Sequence, residues 1–495
     1  MTRQRTKRQR TKRQRTKRSQ KQKSQRQGKR HDARQLKERN AVKKRKARNH
    51  RRRRRAGKAA SMAWSAYRSS LVQAIAKWLP GQFFSRWGVA RGTLWTPHRI
   101  FWLAMLMAWS PCPTLQTQFD EGCAVAKSLF PKWALGTSYT GWYEAQLKWI
   151  EPLRPALADR MRRMLRAEAG RHWLREGWCA FAVDGSRLEC PRTAANEAGL
   201  GCAGRDKTGP QLFLTTLLHM GTGLPWDFRI GPGTASERRH LEEMLEDLAE
   251  NCLVVADAGF TGFELLRHLL AAKKNFLIRV GAHVHLLRDL TGGEVDRQGD
   301  IVTLWPRANR CEAPIVLRLI EQRIGKQTRH LVTNVLDESA LTEKSVGVLY
   351  EMRWGVEVFF RSFKQTMEKR RLLSRTPESA QCELTWAVLS LWLLQSLTVS
   401  AMLAAGNDPL RWSAAQARDR IRASMRRALQ RDRDRNLTTE LAWAQLDDYV
   451  RTRAKKARNW PHKKKEKPPG RPKIRLATDQ EKKTLQRLAK KLGNI

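Results

Sequence analysis

Between Tyr350 and Lys364 the chain carries a phenol, two cations and a carboxylate at spacings that a helix would bring together. At ~100° per residue, Tyr350, Arg353, Glu357 and Lys364 share one narrow stripe, while Met352, Val356, Phe359, Phe363 and Met367 share another. The second stripe reads as a buried face. The first presents an acid among bases. An Arg353–Glu357 pair at i,i+4 is also what an ordinary surface ion pair looks like, worth a few tenths of a kcal/mol.

Two further acids stand where buried strands should end. Cys179–Val183 is a short apolar run closed by Asp184-Gly185-Ser186, and Leu253–Ala256 is a second, closed by Asp257-Ala258-Gly259. Taken singly, either acid reads equally well as a turn residue. Strand ends in an α/β sheet converge on one edge, however, and a helix bearing Glu357 could pack over that edge. Carboxylates gathered without a cation raise one another's pKa, and hard oxygen ligands with open coordination positions suit Mg²⁺.

The pattern Tyr-x2-Arg-x3-Glu-x6-Lys at Tyr350, Arg353, Glu357 and Lys364 resembles the YREK motif of the IS4-family DDE transposases, and all four positions match. The resemblance covers roughly residues 175–405. It implies that Asp184, Asp257 and Glu357 are the catalytic, metal-binding acids, spaced 73 and 100 residues apart. It further implies two Mg²⁺ ions, with Mn²⁺ as a substitute, acting in in-line displacement at phosphorus. Tyr350, Arg353 and Lys364 would contact DNA phosphates at the transposon end. Some relatives flip a base onto a tryptophan of the β insertion. Trp305 stands alone between 281 and 340, although a core or rim role suits it better.

The elements that must position these residues follow from the pattern. Leu212–Met220 and Pro225–Ile230 read as adjacent strands, Ser236–Glu250 as a helix with Ser236 at its N-cap, Phe263–Lys274 as a helix and Asn275–Val280 as a strand. Strands first, then alternation, predict an α/β fold: an RNase H-like mixed sheet flanked by helices. Four short apolar stretches with Gly-rich turns predict a β-rich insertion at about 281–345. The expected organisation is a disordered basic arm (1–60), an all-α N-terminal region for accessory DNA binding (61–172), the catalytic core (173–405), a helical C-terminal region (406–450) and a basic tail (451–495). Within the region before the core, Leu153, Leu157, Met161 and Leu165 mark one side of an amphipathic helix starting at Pro152. Leu384 to Gly406 has no charged residue and is long enough to span a bilayer, but its Thr, Ser and Gln residues favour a core helix.

Charge points to the partner. Of the net +51, residues 1–58 carry +27 and residues 451–495 carry +14, leaving +10 for the body between them. Two polycationic arms on a moderately basic body select nucleic acid through counterion release, a membrane surface being the weaker alternative. Pro468-Pro469-Gly470-Arg471-Pro472-Lys473 looks like an AT-hook core, with Arg471 as a minor-groove residue, or else a basic linker. Eight scattered cysteines without zinc spacing fit a reducing compartment. The expectation is a bacterial cytoplasmic, nucleoid-associated transposase that cuts and joins double-stranded DNA at element ends and target, as a dimer in the synaptic complex and without a membrane. The alternative is a catalytically inactive DNA-binding protein derived from one.

Overall fold

A computed structural model describes residues 69–202, 209–291, 300–325, 327–430, 432, 435–446 and 469–492. The basic arm at 1–60 and residues 451–468 and 493–495 of the predicted tail lie outside these residues. The chain divides into two units, one comprising 68–79 and 92–495 and the other 1–67 and 80–91. The described part of the smaller unit holds a one-turn helix, Gly81–Phe84, with Phe83 edge-on to Phe84 and to Trp87 and the Arg86 guanidinium over the Phe83 ring.

The larger unit is built on one ten-stranded sheet: β1 (Ala180–Glu189), β2 (Gln211–His219), β3 (Leu224–Pro232), β4 (Leu253–Ala256), β5 (Asn275–Arg279), β6 (His285–Arg288), β7 (Ile301–Leu304), β8 (Ile315–Ile324), β9 (Gln327–Thr333) and β10 (Lys473–Leu476). Their order is β10-β6-β7-β8-β9-β5-β4-β1-β2-β3. β1, β2 and β3 form an antiparallel meander, while β4 joins β1, and β5 joins β4, in parallel. The 3-2-1-4-5 order with β2 reversed is that of an RNase H-like sheet. β1 and β4 are apolar throughout their paired length, Phe181, Val183, Val254 and Val255 being wholly buried, as strands covered on both faces must be.

The predicted insertion is real and joins the same sheet. β9 pairs antiparallel with β5, and β8, β7 and β6 continue outward. The last strand was not foreseen: residues 473–476, expected as part of a basic tail, run parallel to β6 and close that edge. The Asp479–Leu492 helix follows, and its Leu488 enters the core beneath the sheet. Charge masked this element. Leu485 and Leu488 on the inner side of a Lys-rich helix pack into the core, and Glu481 ties the helix to Arg475 of β10 and to Arg310 in the loop after β7, 2.7 and 2.6 Å away.

The region before the core is helical, with helices at Ser70–Trp78, Pro97–Trp109, Leu115–Leu129 and Tyr139–Glu168. The last buries Leu153, Leu157, Met161 and Leu165 as the periodicity predicts, but begins a dozen residues earlier and passes through Pro152 and Pro155. The Pro377–Ala404 helix is the one described helix long and apolar enough to cross a membrane. It is buried over most of its length and packs against the Tyr139–Glu168 and Pro97–Trp109 helices. The eight cysteines are unpaired.

Candidate active site

The register of β1 against β4 brings the first two acids together. Pairing runs from Ala180↔Leu253 to Ala182↔Val255, so two residues further on, where β4 has ended, Asp184 stands level with Asp257. Asp184 does not terminate its strand as the sequence suggests. β1 continues to Glu189 because β2 pairs with it along the whole length, Asp184 facing Thr216. β4, by contrast, stops, and Asp257 turns the chain: its Oδ1 accepts the Gly259 N–H at 2.8 Å and caps the short turn Ala258–Phe260. The turn reading of Asp257 is therefore correct as far as it goes, and compatible with a place at the sheet edge.

The third acid sits on a helix that packs over β1 and β2. The expected single helix from Tyr350 onward is in fact three pieces. Glu343–Met352 is broken at Arg353, Trp354–Arg361 follows, and Ser362–Thr366 widens into a π-helix. Val356, Phe359, Phe363 and Met367 are buried and Met352 half-buried, so the apolar stripe holds from Val356 onward through the change of pitch. The polar stripe splits. Arg353 Nη2 donates to Glu357 Oε1 at 2.7 Å, and the Arg353 guanidinium lies 5.7 Å from the Tyr350 ring centre. Lys364, rotated by the π segment, lines a separate cleft with Gly185, Arg187, Glu237, Arg238 and Gly259. π segments of this kind commonly occur at functional sites.

Electrostatics tie the pieces together. Burial pushes the Asp184 carboxyl up to about 7, against its hydrogen bond from the Gly185 N–H; Asp257 and Glu237 raise it further and Arg353 opposes them. Burial likewise lifts Glu237, and Asp257 adds to it. The Arg353 pKa is raised although burial works against it, because Tyr350, Glu357 and Asp184 all favour the cation. Arg353 thus stands in the field of both Asp184 and Glu357. Burial lowers Lys364, as does nearby Arg370.

Among the described residues no group of three or more His, Cys, Asp or Glu side chains is drawn together at metal-holding distance. The donor chemistry still fits a hard divalent cation. Asp184 Oδ1 accepts the Gly185 N–H and Asp257 Oδ1 the Gly259 N–H, each at 2.8 Å. Glu357 is held on Arg353 instead. Asp184, Asp257 and, on releasing Arg353, Glu357 are the carboxylates that would hold such a cation, whose charge would offset the burial and neighbouring charges that raise Asp184.

Three residues at this edge went unremarked in the sequence. Glu237 opens the Glu237–Glu242 helix beside both aspartates; the preceding Ser236 takes the N-cap position but makes no capping bond. Arg329 lies 4.5 Å over the Tyr350 ring, on the face of β9, with its Nη1 buried and without a hydrogen-bond partner. Arg279, at the end of β5, acts on Tyr350 as well. A helix-opening Glu and arginines on strands carry no distinctive local signal, and only the sheet order brings them here.

Trp305 is a core residue, 2% exposed, its Nε1 donating to the Glu312 carbonyl at 2.8 Å and Arg310 stacked over it. Arg471 is exposed, 3.7 Å from Glu321, beside a cleft with Arg279, Thr328 and His330. Its backbone is not free as an AT-hook's would be: Pro469 accepts from Ala282 and Lys473 donates to Val284. Pro468 lies outside the described residues.

Comparison with known proteins agrees with this geometry. Residues 177–393 match the family described as Transposase DDE domain. Transposase InsG for insertion sequence element IS4 of Escherichia coli (strain K12) is 27% identical over 231 residues, covering 44% of this chain and 51% of the relative. A putative transposase for insertion sequence element IS4SA of Synechocystis is 19% identical over 183 residues, 37% of this chain and 52% of the relative. The chain thus spans about half the length of the curated relatives it matches. A cryo-EM structure of a piggyBac transposase synaptic complex with hairpin DNA superposes at TM-score 0.36 and 10% identity, over 79% of this chain and 84% of that one. The β1–β4 edge, the β-rich insertion and the helix of Glu357 all fall within 177–393, the residues over which this chain matches the Transposase DDE domain family.

Proposed function

We propose that this protein is a DNA transposase that cuts at element ends and joins the freed 3′-hydroxyl to target DNA, with Asp184, Asp257 and Glu357 as its catalytic, metal-binding acids. The observation that carries the reading is the register that sets Asp184 level with Asp257 at an open sheet edge, beneath the helix of Glu357. In the first reaction water attacks a backbone phosphorus and the 3′-oxygen leaves as a hydroxyl. In the second, that hydroxyl attacks a target phosphorus and displaces the target's own 3′-oxygen. Two Mg²⁺ ions, or Mn²⁺ in their place, would lower the pKa of the attacking group and neutralise the leaving oxygen.

The chain's own residues orient the DNA. Arg353 and Tyr350, packed ring to guanidinium, face the backbone phosphates of the reacting strand. Lys364, in the cleft on the other side of Gly185, holds a neighbouring phosphate as a point charge. Arg471, exposed beside the insertion, contacts the duplex through its side chain. The helical region at 61–172 supplies end recognition, and the charged arms supply salt-dependent affinity. The partner is double-stranded DNA at ends and target, bound by a dimer in the synaptic complex. A cytoplasmic, nucleoid-associated setting follows from that partner.

The test is incubation with labelled DNA carrying the sequence that flanks the protein's own gene, in Mg²⁺ and in EDTA. Mg²⁺-dependent nicks at the element boundary are expected, and Glu357→Gln should abolish them while leaving DNA binding nearly intact. Binding without nicking by the wild-type protein would favour an inactive DNA-binding relative. Loss of binding and nicking together in the variant would count against the ligand role of Glu357.

A further inference from the structure

Two arginines beside Tyr350 carry charge that no ion pair answers. Arg279 ends β5, and the antiparallel register pairs it with Leu331 of β9. Arg329 precedes Leu331 by two residues, so it lies on the same sheet face as Arg279, one diagonal step away. The Arg329 guanidinium packs 4.5 Å from the Tyr350 ring centre, and the Arg353 guanidinium 5.7 Å from it. A core strand, an insertion strand and the break before the Glu357 helix thus each send a cation toward one phenol. Tyr350 is 6% exposed and lies in the field of Asp257 as well, which sets the group against the edge of the acids.

The counter-charge is missing. Arg353 is paired with Glu357 at 2.7 Å, whereas among the described residues neither Arg279 nor Arg329 makes an ion pair. Glu351 acts on Arg329 from a distance but is exposed and not bonded to it. Burial lowers the Arg329 pKa, and Arg279 and Arg353 lower it further, against Tyr350 and Glu351. Arg329 Nη1 and Arg353 Nε are both buried without a hydrogen-bond partner. Buried N–H groups of a cation are costly to leave without an acceptor. Covering the Tyr350 ring does not require them, since an uncharged side chain of similar length would cover it without repelling two other guanidiniums. Guanidinium forks do match the non-bridging oxygens of a phosphodiester, which would supply both the acceptors and the negative charge.

We propose that Arg279 and Arg329 complete, with Arg353 and Tyr350, a phosphate pocket on the insertion side of the acids that takes a phosphodiester group of the DNA backbone. The inference rests on the transposase reading above and adds that β5 and the last strand of the insertion grip the DNA alongside the helix of Glu357. Lys364 lies in a different cleft, past Gly185, so the two basic sites flank the acids separately.

The experiment is a salt titration of the full-length protein with a labelled duplex carrying the sequence that flanks its own gene, in EDTA. Thermal melts of the DNA-free protein run alongside. Arg279→Met, Arg329→Met and Arg329→Lys are compared with wild type, because methionine keeps a long side chain in place without the charge. Each Met variant should weaken binding by roughly tenfold and lower the slope of log affinity against log salt by about 0.9, with its melt unchanged or raised. Arg329→Lys should keep the wild-type slope but bind more weakly, because an ammonium cannot present a two-pronged fork. Unchanged slopes in both Met variants, whether or not their melts fall, would overturn the pocket and leave only a structural stack. Mg²⁺-dependent nicking by the wild type would then still uphold the transposase reading. Inorganic phosphate that raises the melt of the wild type alone, beside unchanged DNA slopes, would mark a free-anion site and overturn the assignment to DNA. No binding of the duplex by the wild type would overturn both readings.

Discussion

Replacing Asp184 with Asn should stabilise the metal-free protein at alkaline pH and leave it unchanged in acid. Burial first, then Asp257 and Glu237, push the folded-state carboxyl from 3.8 to about 7. Below about pH 4 it is protonated in folded and unfolded chains alike. As pH rises the unfolded chain releases its proton first, so the folded state loses stability across the window from 4 to 7 and recovers none above it. At ~1.4 kcal/mol per pH unit, the full penalty is up to about 4 kcal/mol, and the amide escapes it. The assay is urea denaturation of wild type and Asp184→Asn in EDTA at pH 4 and pH 8.5. The variant should gain on the order of 2–4 kcal/mol at pH 8.5 relative to its difference at pH 4. Adding Mg²⁺ at pH 8.5 should reverse the ranking, because the cation stabilises the ionised wild type and has lost a ligand in the variant. A pH-independent difference in EDTA, or equal stabilisation of both proteins by Mg²⁺, would refute the account of crowded carboxylates.

Two further outcomes test the surroundings. Arg353→Ala should weaken binding to element-end DNA and reduce the slope of log affinity against log salt by about 0.9, one phosphate contact; an unchanged slope in a salt titration would remove Arg353 from the phosphate-binding set. Trp305→Ala should cost roughly 3–5 kcal/mol in chemical denaturation while leaving boundary nicking intact below the melting temperature. Lost cleavage at preserved stability would instead give Trp305 a role at the DNA.

Local pattern was enough to indicate where the buried strands and the buried helix face lie. Apolar runs marked the buried starts of β1 and β4, because a strand covered on both faces must be apolar there; Asp257 follows the end of β4, while β1 runs on past Asp184 in its pairing with β2. The alternation of Val356, Phe359, Phe363 and Met367 showed which side of the Glu357 helix is buried, since that side faces β1 and β2. What lay beyond the sequence is everything that depends on register and on partners distant in the chain. Asp184 is level with Asp257 because β1 and β4 pair in parallel with a fixed offset. Lys364 leaves the stripe of Tyr350, Arg353 and Glu357 because the helix widens into a π turn at Ser362–Thr366. Lys473–Leu476 is a strand because β6 presents an edge to it. Glu237 illustrates the limit most directly: as a charged residue opening an ordinary short helix, it looks like solvent-facing surface. Only the folding of β3 back against β2 brings that helix to the acids, and the missing Cβ atoms of Gly185 and Gly259 leave room for its carboxylate.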